Sequence, residues 1–228
     1  MLSISRLSKS FGGNHVLRGI NLSVAKGKSL VILGGSGSGK SVTVKCVMGF
    51  ISPDEGSIRL DDQELTGLPH GERTLLNRRF GFLFQHAALL DSLPVWENTM
   101  FAPIRFGTLS RRAARSEAGD WLQRVGIDPA LAETLPGALP TGVRKRIGIA
   151  RAIAAQPEVL LFDEPTTGLD VLAGRQIDEL IRRTIDDLQA HAITITHNIA
   201  SAQRIGDEAA MLYDCLLYTS DAADDLVG

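Results

Sequence analysis

The 228-residue chain predicts an α/β fold with a mostly parallel sheet at its core, a small antiparallel β portion and an inserted helical subdomain. Three observations carry that prediction. Val159-Leu160-Leu161-Phe162 is a continuous apolar run, as expected of a strand buried on both faces. Stretches at helical spacing alternate with such runs in the last third, the pattern of parallel sheets. Short apolar runs separated by turn residues dominate the first third, and Ala/Arg/Leu-rich helical stretches dominate the middle.

Taken in order, residues 2–7, 17–24, 30–33 and 57–60 read as strands, and Phe80-Gly81-Phe82-Leu83-Phe84 as another that ends at Gln85. From about 86 to 156 the spacing turns helical, as in Arg111 to Val125, between loops marked by Pro94, Pro103, Pro129 and Pro136. A helix over about 142–155 leads through Gln156-Pro157 into the strand at Val159. A helix over about 172–189 then precedes the strand Ala192 to Thr196. No internal repeat and no domain-separating linker interrupts this order.

The most informative residues follow the run at Leu30–Leu33. Gly34-Gly35-Ser36-Gly37-Ser38-Gly39-Lys40-Ser41 satisfies the phosphate-loop pattern G-x-x-x-x-G-K-[ST], with helical residues from Val42 onward. Glycines let backbone N–H groups approach an anion, and the helix N-terminus adds a favourable dipole. Lys40 is then placed for the β- and γ-phosphates and the Ser41 hydroxyl for Mg²⁺. The nucleotide-binding set is Gly34, Gly35, Ser36, Gly37, Ser38, Gly39, Lys40, Ser41 and Val42.

Composition bounds the remainder. At 44% hydrophobic, 22% charged and a net charge of −2, the chain reads as globular and does not hold nucleic acid by its overall field. Short basic runs at Arg111-Arg112, Arg144-Lys145-Arg146 and Arg182-Arg183 read as solvated helix faces. Cys46 and Cys215 have no metal or redox spacing, and Cys46 reads as a small core residue. The N-terminus has no signal-like apolar core, and no apolar run approaches the ~18 residues that span a bilayer. The expectation is a cytoplasmic protein whose link to a membrane comes through a partner.

Asp163-Glu164 ends an apolar strand, where α/β proteins place reactive groups. Asp163 is placed for the Mg²⁺ shell and Glu164 to polarise an attacking water. His197 follows a second strand in the same topological position, which points it toward the γ-phosphate.

Together these residues resemble the ATP-binding subunit of ABC transporters, over residues 1–214. The resemblance implies a P-loop NTPase of ABC ATPase type, using ATP and Mg²⁺. It implies that Phe11 stacks on adenine, that Gln85 touches Mg²⁺ and signals to a permease, and that Gly168-Leu169-Asp170 form the D-loop. Taken alone, Phe11 reads as a core aromatic and Gln85 as a loop residue. The catalytic set is then Glu164, His197 and Gln85, and the metal set Ser41, Gln85 and Asp163. One chain carries one phosphate loop and one signature, so the resemblance implies a homodimer with an integral membrane permease, on the cytoplasmic face of the inner membrane.

The signature departs from the family. Leu139-Pro140-Thr141-Gly142-Val143 stands where the family has Leu-Ser-Gly-Gly-Gln, with the register set by Ile149-Ala150-Arg151-Ala152. Pro140 brings neither hydroxyl nor N–H; Thr141 and Gly142 remain as candidate contacts to a partner's ATP, and hydrolysis is expected to be slower but present. Within the family, 81–85, 88–93 and 95–98 look like the ATPases of Mla-type and mammalian-cell-entry lipid transport. That implies phospholipid cargo, with periplasmic lipid-binding and small cytosolic accessory subunits. The rival readings are an ATPase of lipoprotein release, cell division or solute transport, and a soluble nucleotide switch.

From Cys215 onward the sequence looks like a translated sequencing-library adapter. The expectation is that 215–228 is a non-native tail on a truncated domain and supplies no strand to extend 209–213.

Overall fold

The computed structural model describes residues 1–220. Four antiparallel strands form the first sheet: β1 (Leu2–Phe11), β2 (Asn14–Val24), β4 (Glu55–Leu60) and β5 (Gln63–Glu64), in the order β2-β1-β4-β5. The second sheet orders β10 (Leu216–Ser220), β9 (Glu208–Tyr213), β3 (Ser29–Leu33), β8 (His191–Thr196), β7 (Val159–Asp163) and β6 (Phe80–Leu83). From β9 to β6 it is parallel throughout. Helices α1 (Lys40–Val47) and α2 (His70–Leu76) lie between the early strands; α7 (Val171–Leu188) and α8 (Ile199–Ile205) connect the late ones.

The parallel sheet is the middle layer of three, and its period-2 alternation divides the core. Leu30, Ile32, Leu161, Ile193 and Ile195 face a cluster shared with β1, β2, β4 and α1. Val31, Leu33, Leu160, Phe162 and Ala192 face a second cluster shared with α7 and the helical insertion. Every residue of β3 is buried, as a strand covered on both faces requires.

Between β6 and β7 the chain is helical: α3 (Val95–Thr99), α4 (Phe101–Arg105), α5 (Arg111–Arg124) and α6 (Thr141–Ile153). Ser110 caps α5 by accepting from the Ala113 N–H, and Ala114, Ala118, Trp121 and Leu122 form its buried stripe. The loop 84–94 joins β6 to this insertion without regular structure.

One expectation fails here. Residues 216–220 do extend the 209–213 strand: β10 pairs antiparallel with β9, matching Leu216 to Tyr213 and Leu217 to Leu212. Asp214 and Cys215 both take positive φ, 46° and 66°, which is the geometry of a two-residue hairpin turn. The Arg18 N–H donates to the Cys215 carbonyl at 3.0 Å, and Leu217 packs against the core. Residues 221–228, the remainder of the expected tail, lie outside the described residues.

Candidate functional site

Four parallel strands deliver their C-terminal ends to one edge. Leu33 pairs with Thr196, Ile195 with Asp163, and Phe162 with Leu83. The residues that follow, Gly34, His197, Glu164 and Phe84 with Gln85, therefore form a row along that edge, beside the loop 34–39. The expected phosphate, acid and histidine groups meet there because strand lengths match, although they lie up to 163 positions apart in sequence.

The loop turns into α1 through Gly39, which sits at φ 104°. A Cβ there would lie 2.7 Å from the Val16 carbonyl oxygen, so both backbone angle and space demand glycine. The Lys40 ammonium donates to the carbonyls of Gly34 and Gly35 at 2.7 and 2.8 Å, which holds its charge inside the loop. Ser38 carries a buried side-chain oxygen with no hydrogen-bond partner among the described residues, a group suited to a ligand's polar atom. Thr43 reaches back to the Gly39 carbonyl and fastens the first turn of α1.

Opposite the loop, the Ser41 hydroxyl lies 3.5 Å from Asp163 Oδ1. Burial raises the Asp163 carboxyl above the ordinary range, against the smaller opposing effect of Ser41. These hard oxygen donors fit Mg²⁺, which compensates a buried carboxylate and completes its shell with phosphate and water.

Glu164 occupies a left-handed backbone conformation, φ 48°, rare for a residue with a side chain. Its carboxylate is held from two sides. His197 Nδ1 lies 2.9 Å from both oxygens, and the Thr167 hydroxyl donates to Oε2 at 3.1 Å. The histidine is exposed while the glutamate is largely covered. His197 therefore touches Glu164 directly, a contact strand position alone did not reveal.

The other expected residues are placed less closely. Gln85 is exposed just past β6, with its backbone carbonyl taken by Lys145. Phe11 ends β1 half exposed, with the Lys9 ammonium 5.3 Å from its ring centre, so it is not a core aromatic. Pro140 caps α6 without a side-chain bond, and Thr141 accepts from Arg144 at 3.3 Å. Among the described residues no hydrogen bond of Thr141 or Gly142 reaches the phosphate loop. Val42, one residue into α1, is half-buried.

The ABC transporter family matches residues 17–167, which span the phosphate loop, the signature and the acid turn. The chain belongs to the ABC transporter ATP-binding family. The arginine transport ATP-binding protein ArtM of Bacillus subtilis is 32% identical, covering 93% of this chain and 87% of its own length. The histidine/lysine/arginine/ornithine transport ATP-binding protein HisP of Escherichia coli is 33% identical, with 100% and 92% covered. Among solved structures, a dimeric ATP-binding cassette in a post-hydrolysis state with ADP and Pi superposes with a TM-score of 0.88. It is 28% identical, over 97% of this chain and 99% of that one. The chain is thus an ATP-binding, ATP-hydrolysing subunit of an ABC transporter. No helix among the described residues is long and apolar enough to cross a membrane.

Sequence reasoning missed three residues of this site: Thr167, which holds Glu164, and Lys145 and Arg151 on α6. The basic run Arg144-Lys145-Arg146 was expected to be solvated, yet Lys145 is 1% exposed. Its signal was the helical register, since position 145 shares a face with the apolar 149 and 152.

Proposed function

We propose that Lys40 and the loop amides clamp the phosphates of ATP, that Ser41 and Asp163 hold Mg²⁺ with Gln85 nearby, and that Glu164 takes the proton of the attacking water. The observation that carries this reading is the Glu164 carboxylate fixed by His197 and Thr167 on the strand edge beside the phosphate loop. Mg²⁺ would neutralise charge on the phosphates when bound. Glu164 needs spare acceptor capacity and a fixed direction; His197 and Thr167 supply the second, and the carboxylate's remaining lone pairs supply the first. His197 orients Glu164 and lies near enough to the same edge to face the γ-phosphate.

Two copies form the working unit. Val171 is 88% exposed and Leu172 is exposed too, just past Gly168-Leu169-Asp170, and a second copy would cover such apolar residues. Phe11 would stack on adenine, and Thr141 and Gly142 would approach the ATP held by the other copy. A cleft of about 270 Å³ beside Gln85, lined by Phe82, Phe84, Leu90 and Phe101, suits a cytoplasmic segment of the permease on the membrane's cytoplasmic face.

For cargo, the relatives' names favour a polar amino acid, because ArtM and HisP serve basic amino acids. A second reading, phospholipid, is favoured by residues 81–98. ATPase stimulation in proteoliposomes with the co-encoded permease, by arginine with its binding protein or by phospholipid, separates them.

The site reading is tested by two substitutions. Lys40→Ala should weaken ATP binding. Glu164→Gln should spare binding, lower kcat by roughly 10²- to 10⁴-fold and trap an ATP-bound dimer. Turnover by Glu164→Gln at the unmodified rate would exclude Glu164 as the base.

A further inference from the structure

Lys145 is the least exposed of the buried charged side chains with long stems, and its described acceptors are two main-chain carbonyls. Its ammonium donates to the carbonyl of Gln85 and, at 3.1 Å, to that of Glu164. Desolvation pulls it down to about 8, with Glu164 and Asp163 working the other way. A methionine would fill this space without the cost of burying a cation. Six residues on, Arg151 donates to the carbonyls of Ala88 and Ala87 at 2.8 and 2.5 Å. Both alanines have positive φ, so the loop after β6 is bent to present its carbonyls to α6. Gly148, between the two cations, lets the helix come close: a Cβ there would sit 2.7 Å from Leu83 Cδ1 and 3.1 Å from Ala87 Cβ.

We propose that Lys145 is a positioning residue that clasps the Gln85 turn and the Glu164 turn together, so that α6 sets both at once. It touches neither side chain. It fixes the carbonyl of a glutamate whose own backbone is left-handed, and the carbonyl of the residue that opens the loop toward the helical insertion. A shift of α6, whose first turn carries the signature, then moves Gln85 and the Glu164 carboxylate as a pair. This inference rests on the reading of Gln85 and Glu164 as groups that act on ATP and its metal.

The test compares Lys145→Met, which keeps the stem and removes the donors, with Lys145→Gln, which keeps N–H donors without the charge. Equilibrium binding of a fluorescent ATP analogue and steady-state ATPase are measured on each full-length dimer. With the phosphate loop untouched, ATP affinity should stay within about twofold, while kcat falls roughly tenfold or more in Lys145→Met, with Lys145→Gln between the two. Should Lys145→Met fail to fold, Lys145→Gln decides alone: kcat lowered with affinity kept supports the clasp. Unchanged kcat in folded Lys145→Met overturns it, or in Lys145→Gln where that variant decides alone, as does a parallel loss of affinity, kcat and Tm in Lys145→Met that Lys145→Gln does not relieve. Glu164→Gln is the control. If that variant is inert while Lys145→Met turns over normally, the clasp alone is wrong; if it hydrolyses ATP normally, the underlying site reading fails.

Discussion

The loop at 34–39 and the helix α6 both fix groups along one edge of the parallel sheet, but they do so with different materials. At the loop the backbone acts: Gly39 turns the chain through φ 104°, and the main-chain carbonyls of Gly34 and Gly35 hold the Lys40 ammonium. At α6 side chains act: Lys145 and Arg151 reach from a regular helix to four carbonyls of two neighbouring turns. A backbone device is local and tolerates no Cβ. A side-chain device spans elements far apart in sequence and tolerates graded substitution. The two regions should therefore respond differently to mutation, the first in nucleotide affinity and the second in turnover.

The largest effect should come from breaking the loop. Gly39→Ala imposes a left-handed angle on a residue with a Cβ, about 1–3 kcal/mol by itself. The Cβ also meets a backbone carbonyl that has little room to give. ATP affinity, measured by fluorescent-analogue titration, should fall by roughly a hundredfold or more while the domain still melts cooperatively. Affinity preserved in Gly39→Ala would mean that the loop is far more plastic than its geometry implies.

The same contrast explains what could be read from the sequence. The loop's conformation is encoded by the residues that form it, so Gly34 to Ser41 could be assigned without any partner. Asp163, Glu164 and His197 were legible because each ends or directly follows a buried strand, and parallel strands share an edge. Lys145 was not, because its burial depends on a helix docking over the loop after β6 and the turn after β7. The hairpin turn at Asp214-Cys215 escaped for another reason: Asp214 tolerates a left-handed angle, but it is followed by Cys215, which seldom takes one, and not by the glycine that marks such turns. The interaction of His197 with Glu164 also needed coordinates, since strand position places residues on an edge without saying which side chains meet.

An intermediate effect should come from the signature, at the first turn of α6. Pro140 is the N-cap and supplies no side-chain acceptor, so Pro140→Ser with Thr141→Gly adds two things. A serine cap is worth about 1 kcal/mol in helix stability. A regained donor to the partner's γ-phosphate is worth roughly 10- to 100-fold in rate if it acts only in the transition state. Tm and kcat separate the two contributions, because a cap alone raises Tm without raising kcat. A kcat unchanged or lowered in the assembled transporter would show that Thr141 and Gly142 already serve, or that these residues do not form the contact.

The smallest change in stability, and the sharpest contrast with Gly39, should come from Gly148→Ala. Alanine is favoured over glycine inside a helix by about 1 kcal/mol, and φ at 148 is helical. Against that, the new methyl would press on Leu83 Cδ1, the movable end of a side chain, and on Ala87 Cβ, with a packing cost of about 1–3 kcal/mol. The net is a loss of about 0–2 kcal/mol, so Tm should fall by roughly 8 °C at most. Yet the methyl pushes α6 away from the very loop that Lys145 and Arg151 hold, which lengthens their bonds to Gln85, Ala87 and Ala88. Turnover should therefore drop severalfold with ATP affinity unchanged, whereas Gly39→Ala loses affinity first. If Gly148→Ala instead weakened nucleotide binding as strongly as turnover, the division between a backbone-built cradle and a side-chain-built clasp would not hold, and the two regions would have to act as one rigid unit.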